Sequence, residues 1–286
     1  MRKVPFTRQF GFELEFNNRC RGAVTQARLK RAIETVRGET ATINGYSRQN
    51  NNRDWVVKTD ASCGWEVASR VMSSSEDLKK AAQAVQAMYR AGAQVNRSCG
   101  LHVHVEVVDF TKSQVATMIQ WWVKFERFVS DVLDPSRKNN MYCRRVGKNF
   151  SGNRSYGTDE TLRSNNGRNA LNTARICWSS SSSARHRVDK RVEFRIAHGT
   201  NDFVDLKNWV RFLLTFVEFS KEAYKPPNVN YLLPREALET LGLLDENVSN
   251  SVVEMRTWLL DSALKNAEHE LDRKLIRATQ NQLSED

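Results

Sequence analysis

The chain has 286 residues, of which 40% are hydrophobic, and a net charge of +11. That apolar content builds a substantial core in one or two domains and excludes a disordered chain, while no apolar run approaches the roughly 20 residues that span a bilayer. The N-terminal stretch lacks an apolar leader core, and the five cysteines (Cys20, Cys63, Cys99, Cys143, Cys177) are odd in number with no C-x-x-C pair. A cytoplasmic protein with reduced thiols, no membrane contact, no disulfide framework and no zinc knuckle is therefore expected.

The first element is GFELEF, Gly11 to Phe16, whose alternation reads as a strand. A helix is predicted over Thr25 to Arg37 from Leu29, Ala32, Ile33 and Val36, followed by a polar loop from Gly38 to Asp54. Strands are predicted at Trp55 to Lys58 and Trp65 to Arg70, on either side of TDASCG. Ser73 with Glu76 has the pattern of a capping box for a helix carrying Leu78, Ala82, Val85 and Met88, which stops before Gly92. LHVHVEVV is the next strand. Thr111 and Gln114 cap the helix after it, whose Val115, Met118, Trp121, Trp122, Phe125 and Phe128 recur at core spacing.

From Pro135 to Val188 eleven arginines and lysines face only Asp159 and Glu160, so this Asn/Ser/Gly-rich segment holds most of the excess charge. Such a segment implies a polyanionic partner: a nucleoside triphosphate, an anionic substrate or a nucleic acid. ALNTARICW and KRVEFRIAHG read as strands joined by an exposed SSSSSARHR connection. A helix from Phe203 to Tyr224 ends at Pro226 and Pro227. Helices follow from Pro234, the last running from a Ser251 to Glu254 capping box to about Thr279. The predicted fold class is α+β, a mainly antiparallel sheet flanked by helices, with residues 1–225 as the catalytic domain and 226–286 as a helical C-terminal extension packed on it.

Side chains at i and i+2 of a strand share a face, so Glu13 and Glu15 project together while Phe12, Leu14 and Phe16 point into a core. The same design recurs in GLHVHVEV, where His102, His104 and Glu106 alternate with Leu101, Val103 and Val105, and in VEFRIAH, where Glu193 and Arg195 share a face. One amphipathic strand is ordinary. Three that converge on Glu, His and Arg form a cluster if they are neighbours, and crowded carboxylates stay ionised only when cations neutralise them. Oxygen-rich donors with a histidine favour Mg²⁺ or Mn²⁺ over Zn²⁺, and adjacent arginines suit phosphates or a substrate carboxylate. Asp60 and Glu66 are placed to complete the ligands from a neighbouring strand, and Gly64 permits a close approach between the two. Cys63 and Cys99 beside these segments read as structural, because no base is paired with either.

The ordered series GFELEF, TDASCGWEVAS, CGLHVHVEV, GRNALN and RVEFRIAHGT, closed by DFVDLKNWVRFLL, resembles the amidoligase family of the glutamine synthetase superfamily of carboxylate-amine ligases over roughly Phe10 to Tyr224. The resemblance implies a curved, funnel-like antiparallel sheet of glutamine synthetase type that holds ATP and two or three Mg²⁺ or Mn²⁺ ions, with a carboxylate phosphorylated before an amine displaces phosphate. It implies that Glu13 and Glu15 ligate different ions, with Glu66 and Asp60 joining one and His102 and Glu193 the other. Glu13, Glu193 and Arg195 are then the catalytic residues, and His104, Arg168 and Asn172 contact nucleotide or substrate; Arg144, Arg145 and Lys148 of the basic segment are expected to contact nucleotide from its charge. The segment from Pro135 to Asn166 is expected to act as a water-excluding lid. The chain departs from the family pattern at Asn169 and Arg70.

Two other classes fit parts of the sequence. A metal-dependent phosphoesterase or nuclease also uses clustered acids, histidine and Mg²⁺ but needs no amine. A basic nucleic-acid-binding module accounts for the charge in 135–188 but not for acidic strand faces, which repel phosphates unless cations are bound. The expected partners are therefore ATP, a carboxylate and an amine donor, with nucleic acid as an open substrate class. The sequence leaves the oligomeric state open, a homo-oligomer included.

Overall fold

The alternation in GFELEF builds the strand it promises. Phe12, Leu14 and Phe16 are almost fully buried on one face, with Glu13 and Glu15 on the other. The computed structural model describes residues 3–18, 22–45, 53–138, 140–141, 143–150, 154–165, 169–173, 176, 191–200 and 202–285. Along the chain these form β1 (Phe10–Asn17), α1 (Gln26–Glu34), β2 (Ala41–Ile43), β3 (Trp55–Asp60), β4 (Gly64–Ala68), α2 (Ser75–Arg90), β5 (Gly100–Glu106), α3 (Lys112–Val132), α4 (Pro135–Lys138) and a 3-10 turn (Val146–Asn149). Then come α5 (Thr158–Ser164), β6 (Leu171–Asn172), β7 (Arg191–His198), α6 (Phe203–Glu222), α7 (Pro234–Thr240), α8 (Asn250–Asn266) and α9 (Glu270–Glu285).

The strands form one open sheet in the order β2-β3-β4-β1-β5-β7-β6. Every pairing is antiparallel except the short edge pair β2–β3. The fold class is therefore α+β with a mostly antiparallel sheet. Helices cover the apolar face. Phe12 meets the edge of Trp55, Phe16 meets Tyr89 of α2, and Phe194 of β7 lies against Trp122 of α3 and Phe216 of α6. The edge-on pairs among these, Phe12–Trp55, Phe16–Tyr89 and Phe194–Phe216, add to the burial of their area. The C-terminal helices pack on the same body: Trp258 of α8 stacks edge-on against Trp209 and donates to Asp205 Oδ1 at 2.8 Å, and Arg127 of α3 pairs with Asp272 of α9. Among the described residues no helix is long and apolar enough to cross a membrane.

Several boundaries differ from the sequence expectation. The loop Gly38 to Asp54 contains β2, which Ala41 seats beside Trp55 at the sheet edge. The N-cap of α2 is Ser74 rather than Ser73, since Ser74 Oγ accepts from Asp77 N at 3.1 Å, and Asp77 takes the role expected of Glu76 by accepting from Ser73 N. The single last helix is two: α8 is capped at Ser249, and its end at Ala267, buried and extended, turns the chain into α9. Among the described residues of ALNTARICW, Leu171 and Asn172 form a strand; Ala174, Arg175, Cys177 and Trp178, like the SSSSSARHR connection, lie outside the described residues. Within the stretch expected as a lid, the 3-10 turn, Tyr156 and α5 are held to α3. Glu126 accepts from the backbone N–H groups of Val146 and Gly147, and Gln120 Nε2 donates to Tyr156 O and Thr161 Oγ1, both at 3.0 Å.

Candidate active site

Strand register assembles the centre of the polar face from β4, β1, β5 and β7. Glu13 of β1 stands opposite His102 of β5, Glu15 opposite Glu66 of β4, and His104 opposite Glu193 of β7. Directly opposed residues in an antiparallel pair project to the same side, so the alternation within each strand becomes one patch. Two backbone features fit the patch together. Between Leu101 and Val103 the pairing shifts by one residue, and Arg195 and Ile196 of β7 both face His102. This bulge leaves Arg195 beside Glu193 on the polar side, while Ile196 and Ala197 are both buried. The second is Gly100. A Cβ there would lie 3.1 Å from His102 Nε2, 3.1 Å from Arg137 Nη2 and 3.3 Å from Glu15 Oε2, so its absence lets three charged groups converge over the backbone.

The groups are buried and closely spaced. Glu15, Glu66, His102, His104 and Glu193 are each exposed by less than a tenth. His102 Nδ1 is 3.7 Å from Glu13 Oε2 and 3.5 Å from Glu193 Oε1, and His104 Nε2 is 3.6 Å from Glu13 Oε2. His102 Nε2 lies 3.9 Å from Glu15 Oε1. These separations are too long for hydrogen bonds, and His102 Nδ1 and both nitrogens of His104 are buried without a hydrogen-bond partner. Two ligands on one small divalent ion with bonds of about 2.1 Å sit about 3 to 4 Å apart, which is the spacing found here. The donor set fits Mg²⁺ or Mn²⁺. One oxygen or nitrogen from each of Glu13, His104 and Glu193 lies within 4.8 Å of the others, and Glu15, Asp60 and Cys63 form a second such group.

Charge pairing tunes the face. Burial opposes ionisation of Glu13, but His102, His104 and Lys58 outweigh it and hold its carboxyl well below the usual range. Glu193 is likewise lowered against burial by His104, His102 and Arg195, whereas burial pushes Glu15 up. Burial, followed by the charge of Glu13, also raises Glu66. His102 is raised, since the carboxylates Glu13, Glu15 and Glu193 overcome its burial. Glu193 is fixed from both sides: Asn172 Nδ2 donates to its Oε2 at 2.8 Å, and Arg195 Nε lies 2.9 Å from its Oε1.

The residues named from the sequence fall into distinct places. Glu13, Glu15, Glu66, His102, His104, Glu193, Arg195 and Asn172 lie on the one face, and Asp60 stands at its border, where its carboxylate accepts from the N–H groups of Ser62 and Cys63. His104 comes close to both Glu13 and Glu193, His102 Nδ1 lies within 3.7 Å of the same two carboxylates, and Glu66 pairs with Lys58. Arg145 turns to α3, where Nη2 donates to Ser130 Oγ, and is not brought to the patch. Arg144 and Lys148 are exposed, and Arg168 lies outside the described residues. Of the two departures from the family pattern, Arg70 pairs with Glu39 and Asp77, and Asn169 donates to Asn165 Oδ1 at 2.6 Å. The Cys99 thiol and burial push Cys63 up, the wrong direction for a nucleophile. Two residues of the face escaped the sequence reading. Lys58 pairs with Glu66 and lies 3.4 Å from Glu13 Oε1, a placement signalled only by its position two residues before Asp60. Arg137, 3% exposed, donates to Arg195 O at 3.0 Å, and nothing in its local sequence foretold this.

The profile of the amidoligase enzyme family matches residues 6–217, about three quarters of the chain and every strand of the sheet. The chain belongs to the amidoligase family. Amidoligases are ligases that form carbon–nitrogen bonds, and the polar face lies within the matched region. Among solved structures, a "novel glutamine synthase homolog" is similar at 15% identity and a TM-score of 0.43, covering 95% of this chain and 70% of its own. The ligase PafA, in complex with the prokaryotic ubiquitin-like protein Pup, is similar at 11% identity and a TM-score of 0.38, covering 98% of this chain. The amidoligase chain described here spans 64% of that structure's chain. A search of curated proteins gives no match.

Proposed function

We propose that this amidoligase joins a carboxylate to an amine at the expense of ATP, on the polar face of the sheet. The observation that carries the reading is the convergence of Glu13, His104 and Glu193 within 4.8 Å, on strands far apart in sequence. Glu13, His104 and Glu193 would hold one Mg²⁺ or Mn²⁺, and Glu15 with Asp60 a second; bound ions would neutralise the phosphates and the reacting carboxylate.

The protein's own groups divide the remaining work. Asn172 and Arg195 hold the Glu193 carboxylate in one orientation. The guanidinium of Arg195, partly exposed beside Glu193, is suited to bind an anionic oxygen of the transferred phosphoryl or of the acyl substrate. Phosphoryl transfer to a carboxylate needs charge neutralisation more than a protein nucleophile, which agrees with a site rich in acids, imidazoles and guanidinium. His102 lies between Glu13, Glu15 and Glu193 and links the two halves of the face. The exposed Arg144 and Lys148 are available to an anionic substrate, and the stretch 135–166 would exclude water as it does so. A nucleic acid carrying the reacting amine or carboxylate, and a cytoplasmic setting, belong to the same proposal.

The test is to supply ATP, Mg²⁺ and panels of carboxylates and amines, and to follow ADP, phosphate and condensed product by mass spectrometry. Amine-dependent ADP release with a new amide is expected, and Glu193→Gln is expected to lower it by at least about 100-fold with the fold intact. Release of phosphate or cleavage of nucleic acid without an amine would support a phosphoesterase instead.

A further inference from the structure

Lys58 is not a solvated lysine. Its side chain is about 20% exposed, stands in register with Glu66 on the neighbouring strand, and contacts both Glu66 Oε1 and Glu13 Oε1. The two oxygens of Glu13 are thereby divided: Oε1 faces the ammonium, while Oε2 faces His102 and His104. Neither group of close donor atoms includes Glu66. An ammonium is a compact cation with three donors, able to balance two carboxylates at once.

We infer that Lys58 is a positioning residue that serves as a resident cation of the acidic face, balancing Glu66 and leaving it outside the metal ligands while turning Glu13 Oε2 toward the histidines. The inference rests on the ligase reading for the ions themselves. It sets their number: divalent ions gather at Glu13 and at Glu15, and the place beside Glu66 is filled by the chain itself. It also lets Glu13 and Glu66 share one ammonium, since like charges brought to the same partner repel unless a cation sits between them.

The experiment counts Mn²⁺ by electron paramagnetic resonance and calorimetry, with and without a non-hydrolysable ATP analogue, while circular dichroism follows the fold. Glu66→Gln is expected to bind as many ions as the wild type, with dissociation constants within about threefold. Lys58→Met is expected to gain an ion beside Glu66 or to bind Mn²⁺ at least about tenfold more tightly, and Lys58→Arg to restore the wild-type count. Loss of an ion in Glu66→Gln, with Lys58 intact and the wild type fully loaded, would overturn the inference and leave the ligase reading standing. Absence of Mn²⁺ from the wild type under every condition would overturn both. Should Lys58→Met fail to fold, the Glu66→Gln count decides.

Discussion

A methyl group at residue 100 would press on an imidazole, a guanidinium and a carboxylate at once. Gly100→Ala is accordingly expected to cost about 1–3 kcal/mol in denaturant unfolding and to weaken Mn²⁺ binding measured by resonance. Stability lost with Mn²⁺ affinity unchanged would show that the convergence over Gly100 does not shape the ligands. Asn172 offers a gentler probe, because its amide donates to Glu193 and adds no charge to the face. Asn172→Ala is expected to lower Mn²⁺ affinity about 10- to 100-fold, which calorimetry reads directly. At this scale the letters E-x-E, H-x-H and E-x-R were legible, since alternation alone puts them on a face. Lys58 and Arg137 were not, because their roles come from strand register and from a short helix that meets β7, both long-range facts. Nor could spacing decide between His102 and His104, which share a face and differ only in what stands opposite.

Among the elements, α3 connects the apolar side of the sheet to the basic stretch. Its Trp122 packs on Phe194 directly behind the Glu193 strand, and one turn further on Glu126 accepts two backbone N–H groups of the 3-10 turn. Burial pushes the Glu126 carboxyl up to about 7, more than the two backbone donors pull it down. A carboxyl whose folded value lies above its unfolded value keeps its proton longer in the folded state. Stability is therefore highest below the unfolded value near 4.5 and is lost as pH rises toward 7. The loss is of the order of 3 kcal/mol, and Glu126→Gln is expected to flatten the wild-type slope of unfolding free energy between pH 5 and 8. Equal slopes in the two proteins would remove this role from Glu126. The strands, the capping box of Thr111 and Gln114, and the aromatic core of α3 were readable because local periodicity dictates them. The break between α8 and α9 was hidden, since Ala267 closes one helix through tertiary burial and not through a glycine or proline signal.

For the molecule as a whole, the excess positive charge and the acidic face are complementary parts of one design. The carboxylates are gathered on the sheet, and positive charge is concentrated in the chain stretch from 135 to 188. Ions and nucleotide that bind only the folded chain stabilise it by mass action. Mn²⁺ with an ATP analogue, each at about 100 times its dissociation constant, is expected to raise the melting temperature by several degrees. Glu13→Gln is expected to erase most of that shift in calorimetric scans, and a shift that persists in the variant would place binding elsewhere. Fold class and family were legible because five motifs occur in order along one sheet. The strand order itself became visible only in three dimensions, since β1, first in the chain, lies at the centre between β4 and β5.

The extra residue in β7 works like a punctuation mark within that strand. On one side of it Glu193 and Arg195 share the polar face; on the other, the inside–outside rhythm starts afresh with Ala197 buried. Trimming one residue there would invert every later or earlier side chain of the strand, whereas swapping Ile196 for another aliphatic would cost little. Counting, more than chemistry, is what this short piece of chain is obliged to preserve.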